Sequence, residues 1–232
     1  MNYFAHALDF LDSPYLLAGV ATPDWLGVID RRVRVRSKHA LPLVDDPDQR
    51  VADVARGIVR HHQDDAWFHE SAAFHELSWQ LTVITRDALP GDEGFRPSFL
   101  GHILVEILLD AELISQEPGR LKKYYQALDL LDGELVQQAV NRVAPRPCQA
   151  LAALIPRFRR EGFLWDYADD GKLWFRLNQV MRRVALPPLP EDFRRLLPEA
   201  RRIVSSRATE LLCPGPGAPS RRETVEAEAI PP

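Results

Sequence analysis

Gly101-His102-Ile103-Leu104-Val105-Glu106-Ile107-Leu108-Leu109-Asp110 is apolar at nearly every position around a helical wheel. A helix of that kind is packed on all sides by other elements. His102 and Glu106 stand four residues apart in it, so their side chains share one face. Inside a protein such groups must be paired, hydrogen-bonded or bound to a metal, because isolated buried charge is costly. The stretch therefore predicts a buried helix and, within it, either a satisfied His–Glu core pair or a site.

Working outward, nearly all the periodicity is helical. Residues 2–11 read as a short helix that ends at Asp12-Ser13-Pro14, where Ser13 caps a second helix and Pro14 takes its first position. Thr22-Pro23-Asp24-Trp25-Leu26-Gly27 repeats that logic: Thr22 caps, Pro23 starts a short turn and Gly27 closes it. Residues 29–46, with Val33 and Val35 alternating against arginines, read as a short strand or an extended loop. Helical pattern resumes over 47–88, broken once near 64–72, and a loop with strong breakers covers 88–94. Further helices are expected over 97–115, 119–131, 133–143, 148–161, 170–184 and 191–212. From Cys213 onward apolar periodicity is lost and a disordered tail is expected. The reading is all-α: a compact multi-helix domain over 1–212 and a disordered C-terminal tail over 213–232.

The totals exclude several classes. A hydrophobic share of 46% with 27% charged residues is that of a globular chain. A net charge of −4 gives no global attraction to nucleic acid or anionic membrane, and neither partner is expected. Cys148 and Cys213, the two cysteines, make neither a disulfide framework nor a cysteine zinc site. No uninterrupted apolar run reaches the roughly 18 residues of a spanning helix, and the start, with His6 and Asp9 inside its apolar stretch, does not read as a signal peptide. A cytoplasmic location is expected. No phosphate-cradling glycine loop and no G-x-S-x-G elbow occurs.

The candidate site residues lie in two stripes. His61, Asp65 and His69 recur at helical spacing, as do His102, Glu106 and Asp110. Imidazole and carboxylate four apart can chelate one divalent cation, and two such helices face to face would build a metal site. Four of the seven histidines fall between residues 61 and 75, which argues against incidental placement. His62 points about 100° away from His61 and is a candidate for the substrate side, with His69 and Asp110 in support. Asp24, in a first turn, either faces a pocket or simply complements the helix dipole. His75 reads as a surface residue, and the five tryptophans read as core. The basic run Arg31-Arg32-Val33-Arg34-Val35-Arg36-Ser37-Lys38 stands out from the acidic average.

Met1-Asn2-Tyr3-Phe4-Ala5-His6, followed by Leu16-Leu17-Ala18-Gly19-Val20-Ala21-Thr22-Pro23-Asp24 and by Gly57-Ile58-Val59-Arg60-His61-His62-Gln63-Asp64-Asp65, resembles the acyl carrier protein phosphodiesterase family. That family opens with M-N-x-x-A-H and continues with G-I-x-x-H-x-x-x-D; the anchors span about residues 1–110. The resemblance implies an α-helical fold related to the HD phosphohydrolases, a divalent metal, usually manganese, and hydrolytic release of 4′-phosphopantetheine from a carrier-protein serine. Carried over, His6, Asp24, His61 and Asp65 match site positions, while His102 and Glu106 replace two aspartates of the family. An imidazole in place of a carboxylate softens the donor set and favours zinc or iron over manganese. An H-x-x-x-E helix pair is also similar to the zinc-dependent phospholipase C group.

The expected function is therefore a metal-dependent phosphodiesterase. One or two divalent cations would be held by His61, Asp65, His102 and Glu106 with Asp24 and His6, and Asp24 or Asp65 would accept the proton of the attacking water. Arg32 and Arg34, with Arg31 and Arg36, would meet a phosphate or an acidic partner such as acyl carrier protein. The alternative is a helical interaction protein that keeps the fold without the chemistry.

Overall fold

A computed structural model describes residues 1–89, 91 and 94–213. Its helices are α1 (Tyr3–Ala7), α2 (Pro14–Ile29), α3 (Ser37–Ala40), α4 (Gln49–Glu70), α5 (Ala72–Ala88), α6 (Pro97–Gln116), α7 (Pro118–Asp129), α8 (Gly133–Val143), α9 (Leu151–Glu161), α10 (Asp170–Arg183), α11 (Leu197–Ser205) and α12 (Ala208–Leu212), with short 3₁₀ turns at Leu41–Leu43, Phe163–Ala168 and Glu191–Leu196. No strand occurs among the described residues, so the all-α reading holds. The tail expected to be disordered lies, from residue 214, outside the described residues, as do 90, 92 and 93 of the expected loop. No described helix is long and apolar enough to cross a membrane.

The break expected near 64–72 falls at Ser71. Its hydroxyl donates to the Phe68 carbonyl at 2.8 Å and accepts the Phe74 N–H at 3.2 Å, so one side chain closes α4 and caps α5. Elsewhere the expected boundaries needed correction. Of the two readings of 29–46, the extended one is found over 30–36, leading into α3 and a 3₁₀ turn. The helix expected over 191–212 is three pieces. Trp25 is fully buried as expected, but Trp79 is 65% exposed and Trp165 43%, so those two are not core.

The larger correction is in α2, which does not stop at Thr22 but runs through Pro23 to Ile29. An internal proline removes a helical N–H and ordinarily weakens a helix by about 3 kcal/mol. Here burial outweighs it: Leu17, Ala18, Ala21, Trp25 and Leu26 on both sides of Pro23 are nearly inaccessible. Thr22 is not a cap; its hydroxyl donates to the Ala18 carbonyl at 2.8 Å. Asp24 consequently sits within the helix rather than in a first turn, and dipole complementarity does not account for it.

Helix α2 lies against α4, and α5 against α6. Glycine sets the first contact. A Cβ on Gly57 would overlap the Leu16 carbonyl and stand 2.7 Å from the Gly19 Cα, and a Cβ on Gly19 would overlap the Val54 carbonyl. The two backbones touch where both side chains are absent. At the centre, Leu104, Val105, Leu108 and Leu109 of α6 are buried as the opening stretch predicted. Helix α1 is tied to α6 by Asp110, whose carboxylate accepts the Phe4 N–H at 3.0 Å and the Ala5 N–H at 2.8 Å. These are N–H groups of a first turn, which have no partner within their own helix.

Two outcomes follow for stability. Gly57→Ala is expected to lower stability by at least about 1–3 kcal/mol through overpacking, roughly 2–4 °C per kcal/mol in a chain of this size. Gly27→Ala, where a Cβ meets nothing within 4 Å, is expected to unfold near the wild-type temperature. Burial, outweighing the two N–H donors, pushes Asp110 up to about 7. The carboxyl is thus less acidic folded than unfolded, and its contribution is complete below its ordinary range near 4 and lost as pH rises through about 7. Urea unfolding of wild type and Asp110→Asn should show their difference shrinking in the wild type's disfavour between pH 4.5 and 8; a constant difference would mean that Asp110 does not titrate in that window.

Candidate metal centre

The stripe His61, Asp65 and His69 on α4 does not form a single site. It divides between two groups of side chains, each of which could hold a metal ion: His6, His61 and Asp65, and His69, His102 and Glu106. Within each group the donor atoms all lie within 4.8 Å of one another. The division arises because α4 rises about 6 Å from one turn-spaced residue to the next, and different neighbours meet it at successive turns.

In the first group, α1 brings His6 over His61, their rings stacked with centroids 4.2 Å apart. His6 Nε2 lies 3.2 Å from Asp65 Oδ1 and His61 Nε2 lies 3.3 Å from Asp65 Oδ2. His61 Nδ1 stands 2.8 Å from the Val20 carbonyl. A carbonyl only accepts, so Nδ1 carries the hydrogen; Nε2 is then the nitrogen turned to Asp65, donating to the carboxylate when the ring is protonated and open to a cation when it is neutral. His6 is arranged similarly: Nδ1 faces Asp64 Oδ2 at 3.5 Å while Nε2 faces Asp65. Neither His6 ring nitrogen makes a hydrogen bond, although both are sealed from solvent. Asp64 is held by Arg60 Nε at 2.9 Å and by the Trp67 indole N–H at 3.2 Å. A carboxylate or carbonyl behind each imidazole is the support that metal-binding histidines generally have.

In the second group, His69 Nε2 and His102 Nε2 lie 2.9 and 3.2 Å from the same oxygen, Glu106 Oε1. Their rings stack with centroids 4.9 Å apart, and Phe74 meets both edge-on. His102 is not buried as the helix pattern implied; its side chain is 42% exposed against 17% for Glu106. The Met1 amine joins the groups, donating to Asp65 Oδ1 at 2.7 Å and to Glu106 Oε1 at 3.4 Å.

Charge is distributed unevenly among the carboxylates. Burial opposes ionisation of Asp65, yet His6, His61 and the Met1 amine hold it far below the usual carboxylate range. Burial likewise opposes Glu106, and the Met1 amine, His102 and His69 outweigh it. Asp24 behaves oppositely: burial raises it despite His61 and His6 nearby, and its Oδ2 is sealed from solvent without a hydrogen-bond partner. An unpartnered carboxylate oxygen beside two imidazoles is a donor available to a cation or to a proton.

Asp24 also stands where two clefts meet. One, of about 860 Å³, is lined by Asp24, Glu106, Tyr3 and Phe158 with Arg182 and Arg183 on its wall. The other, of about 600 Å³, is lined by Asp24, His61 and His62 with Arg34, Arg36 and Lys38. His62, whose Nε2 lies 2.7 Å from the Val35 carbonyl, faces this second cleft and belongs to neither metal-holding group.

Two expected site residues are not there. Asp110 contacts the backbone of α1 and lines neither cleft, because one further turn along α6 carries it into the core. Arg32 is exposed and closed on Asp30 at 2.9 Å, and it too lines neither cleft. Conversely, Asp64 and the Met1 amine were missed. Asp64 had a signal, since Arg60 precedes it by four residues, the spacing of an ion pair on one helix face. No protein-family model, no curated protein and no solved structure matches the chain.

If Asp64 orients His6, Asp64→Asn should weaken divalent cation binding about 10–100-fold, the usual effect of losing such a partner. Calorimetric titration with zinc and manganese at neutral pH checks this, and unchanged affinity in the folded variant would separate Asp64 from the site.

Proposed function

We propose that this chain is a metal-dependent phosphodiester hydrolase. The observation that carries the proposal is the pair His6 and His61, each with one nitrogen facing an oxygen and the other turned to Asp65, beside Asp24, which lines two clefts that both carry arginines. The donor chemistry fits a divalent cation: His6 Nε2 and Asp24 Oδ2 are sealed from solvent without a hydrogen-bond partner, and ligation would satisfy them. His6, His61 and Asp65 with Asp24 would hold one cation, and His69, His102 and Glu106 a second. A nitrogen-rich donor set favours zinc or iron over manganese. When bound, such a cation lowers the pKa of water and neutralises charge on phosphate oxygens.

The chain's own residues would do the rest. Asp24, kept less acidic than an ordinary carboxylate by burial, would take a proton from the attacking water on whichever of its oxygens is left off the cation. The water oxygen bonds to phosphorus, the phosphorus–oxygen bond to the leaving group breaks, and the leaving oxygen takes up a proton. Arg182 and Arg183 stand on the cleft wall where guanidinium forks suit phosphate oxygens. The resemblance of residues 1–110 to acyl carrier protein phosphodiesterases supports holo acyl carrier protein as the first physiological substrate to try.

Elemental analysis of untagged protein is expected to find near-stoichiometric transition metal, lost in a folded His61→Ala, Glu106→Ala double variant together with hydrolysis of bis(p-nitrophenyl) phosphate. Absence of metal, and no binding on adding manganese, zinc or iron, would overturn the proposal.

A further inference from the structure

Around the second cleft, charge and conformation combine in a way that metal chemistry does not require. The chain has a net charge of −4, yet Arg31, Arg34, Arg36 and Lys38 all line this one cleft, and Asp24 is its sole carboxylate. Several arginines elsewhere are closed on nearby acids, as Arg50 is on Asp48, Arg202 on Glu199 and Arg207 on Glu210. The four cations of the cleft have no acidic side-chain partner among the described residues. Arg31 Nη2 donates to the Arg183 carbonyl at 2.8 Å and Arg34 Nε to the Arg31 carbonyl at 3.3 Å.

The segment that carries them is fixed. Val33 and Val35 are buried, 5% and 2% exposed, and alternation along the extended backbone turns Arg34 and Arg36 outward. His62 holds the Val35 carbonyl, and the Val33 N–H donates to the Asp30 carbonyl at 2.9 Å. Like charges held together without counter-charges repel one another, an arrangement that an anionic ligand relieves. The cleft is of small-molecule size at about 600 Å³, whereas docking a folded acidic protein takes about 800 Å² of surface on each partner. The other cleft also carries arginines, but among the carboxylates Glu106 and Glu161 and the aromatic rings of Tyr3, Phe99, Phe158 and Phe163.

We infer that the cleft of Arg31, Arg34, Arg36 and Lys38 is a phosphate-binding subsite, which takes a second phosphate group carried on one arm of the substrate. The substrate is then an unsymmetrical phosphodiester: the scissile phosphate lies at Asp24 and His61, which line the same cleft, and the further phosphate lies against the arginines. The substrate assignment rests on the hydrolase reading; the anion subsite stands independently of it.

The first test is calorimetric titration of inorganic pyrophosphate into the full chain stripped of metal by a chelator, so that the cation site contributes nothing. Arg34→Ala, Arg36→Ala together are expected to weaken binding at least about tenfold, the loss of two charge-assisted contacts. Arg32→Ala, outside the cleft and closed on Asp30, is expected to bind as wild type does. The second test compares kcat/KM for thymidine 5′-(p-nitrophenyl phosphate) and its 3′-phosphorylated counterpart, which differ only in the second phosphate. A preference of about tenfold for the latter is expected, with the ratio falling towards one in the double variant. Pyrophosphate binding that depends on Arg34 and Arg36 without hydrolysis of either ester would sustain the subsite and remove the hydrolase. Metal-dependent hydrolysis with no such pyrophosphate binding, or dependence on these arginines for an acidic protein alone, would overturn the inference and leave the hydrolase standing.

Discussion

The contact between Gly19 of α2 and Gly57 of α4 governs more of this molecule than its area suggests. Both positions lack space for a Cβ, so the helices meet backbone to backbone. One residue beyond Gly19 is Val20, whose carbonyl holds His61 Nδ1; one turn beyond Gly57 is His61 itself. The distance that allows this hydrogen bond is thus set by the absence of two side chains. The bond commits Nδ1 as a donor, and this leaves Nε2 as the nitrogen turned to Asp65 and open to a cation. A packing constraint is converted into a chemical one within a single turn of helix.

The same economy of placement separates roles among neighbouring acids. Asp64 and Asp65 are consecutive, so on a helix they point about 100° apart. Asp64 turns towards Arg60, Trp67 and the back of His6, while Asp65 turns towards the front of both imidazoles and the Met1 amine. Asp24 and Asp65 then differ in acidity although the same histidines lie near both. Asp65 has those histidines and the Met1 amine close enough to overcome desolvation, whereas for Asp24 desolvation prevails. Titratable groups pushed in opposite directions within one site suit a division between holding charge and moving a proton.

How far this could be seen in the sequence depended on the kind of signal. Buried periodicity was legible: the apolar run around Leu104 and Leu108 gave α6 almost to the residue, and the single break between α4 and α5 was placed correctly because a polar segment interrupts the pattern there. Local breakers were read too literally. Thr22-Pro23 has the form of a helix start, but tertiary burial of Leu17, Ala18, Trp25 and Leu26 on both sides carries α2 through it. Among the candidate site residues, i,i+4 spacing brought out His61 with Asp65 and His102 with Glu106, pairs that do approach one another. Spacing carries no information about contacts made 64 or 105 residues away, so it could not divide the histidines into two groups or reveal the Met1 amine between them.

The segment from Asp30 to Lys38 shows why an ambiguous pattern can still be informative. Alternating valine and arginine suits a strand edge as well as a loop, and without a neighbouring strand to pair with, the stretch remains extended and alone. Its two valines are nevertheless buried, and period-two geometry then obliges the intervening arginines to face the other way. Once α2 and α4 have closed on their glycines, the face left open to those arginines is the one that carries Asp24, His61 and His62. The cationic wall and the imidazole–carboxylate group therefore come together through two causes: backbone contact brings α4 to α2, and burial of Val33 and Val35, with His62 on the Val35 carbonyl, seats the loop beside the cleft with Arg34 and Arg36 turned outward along it.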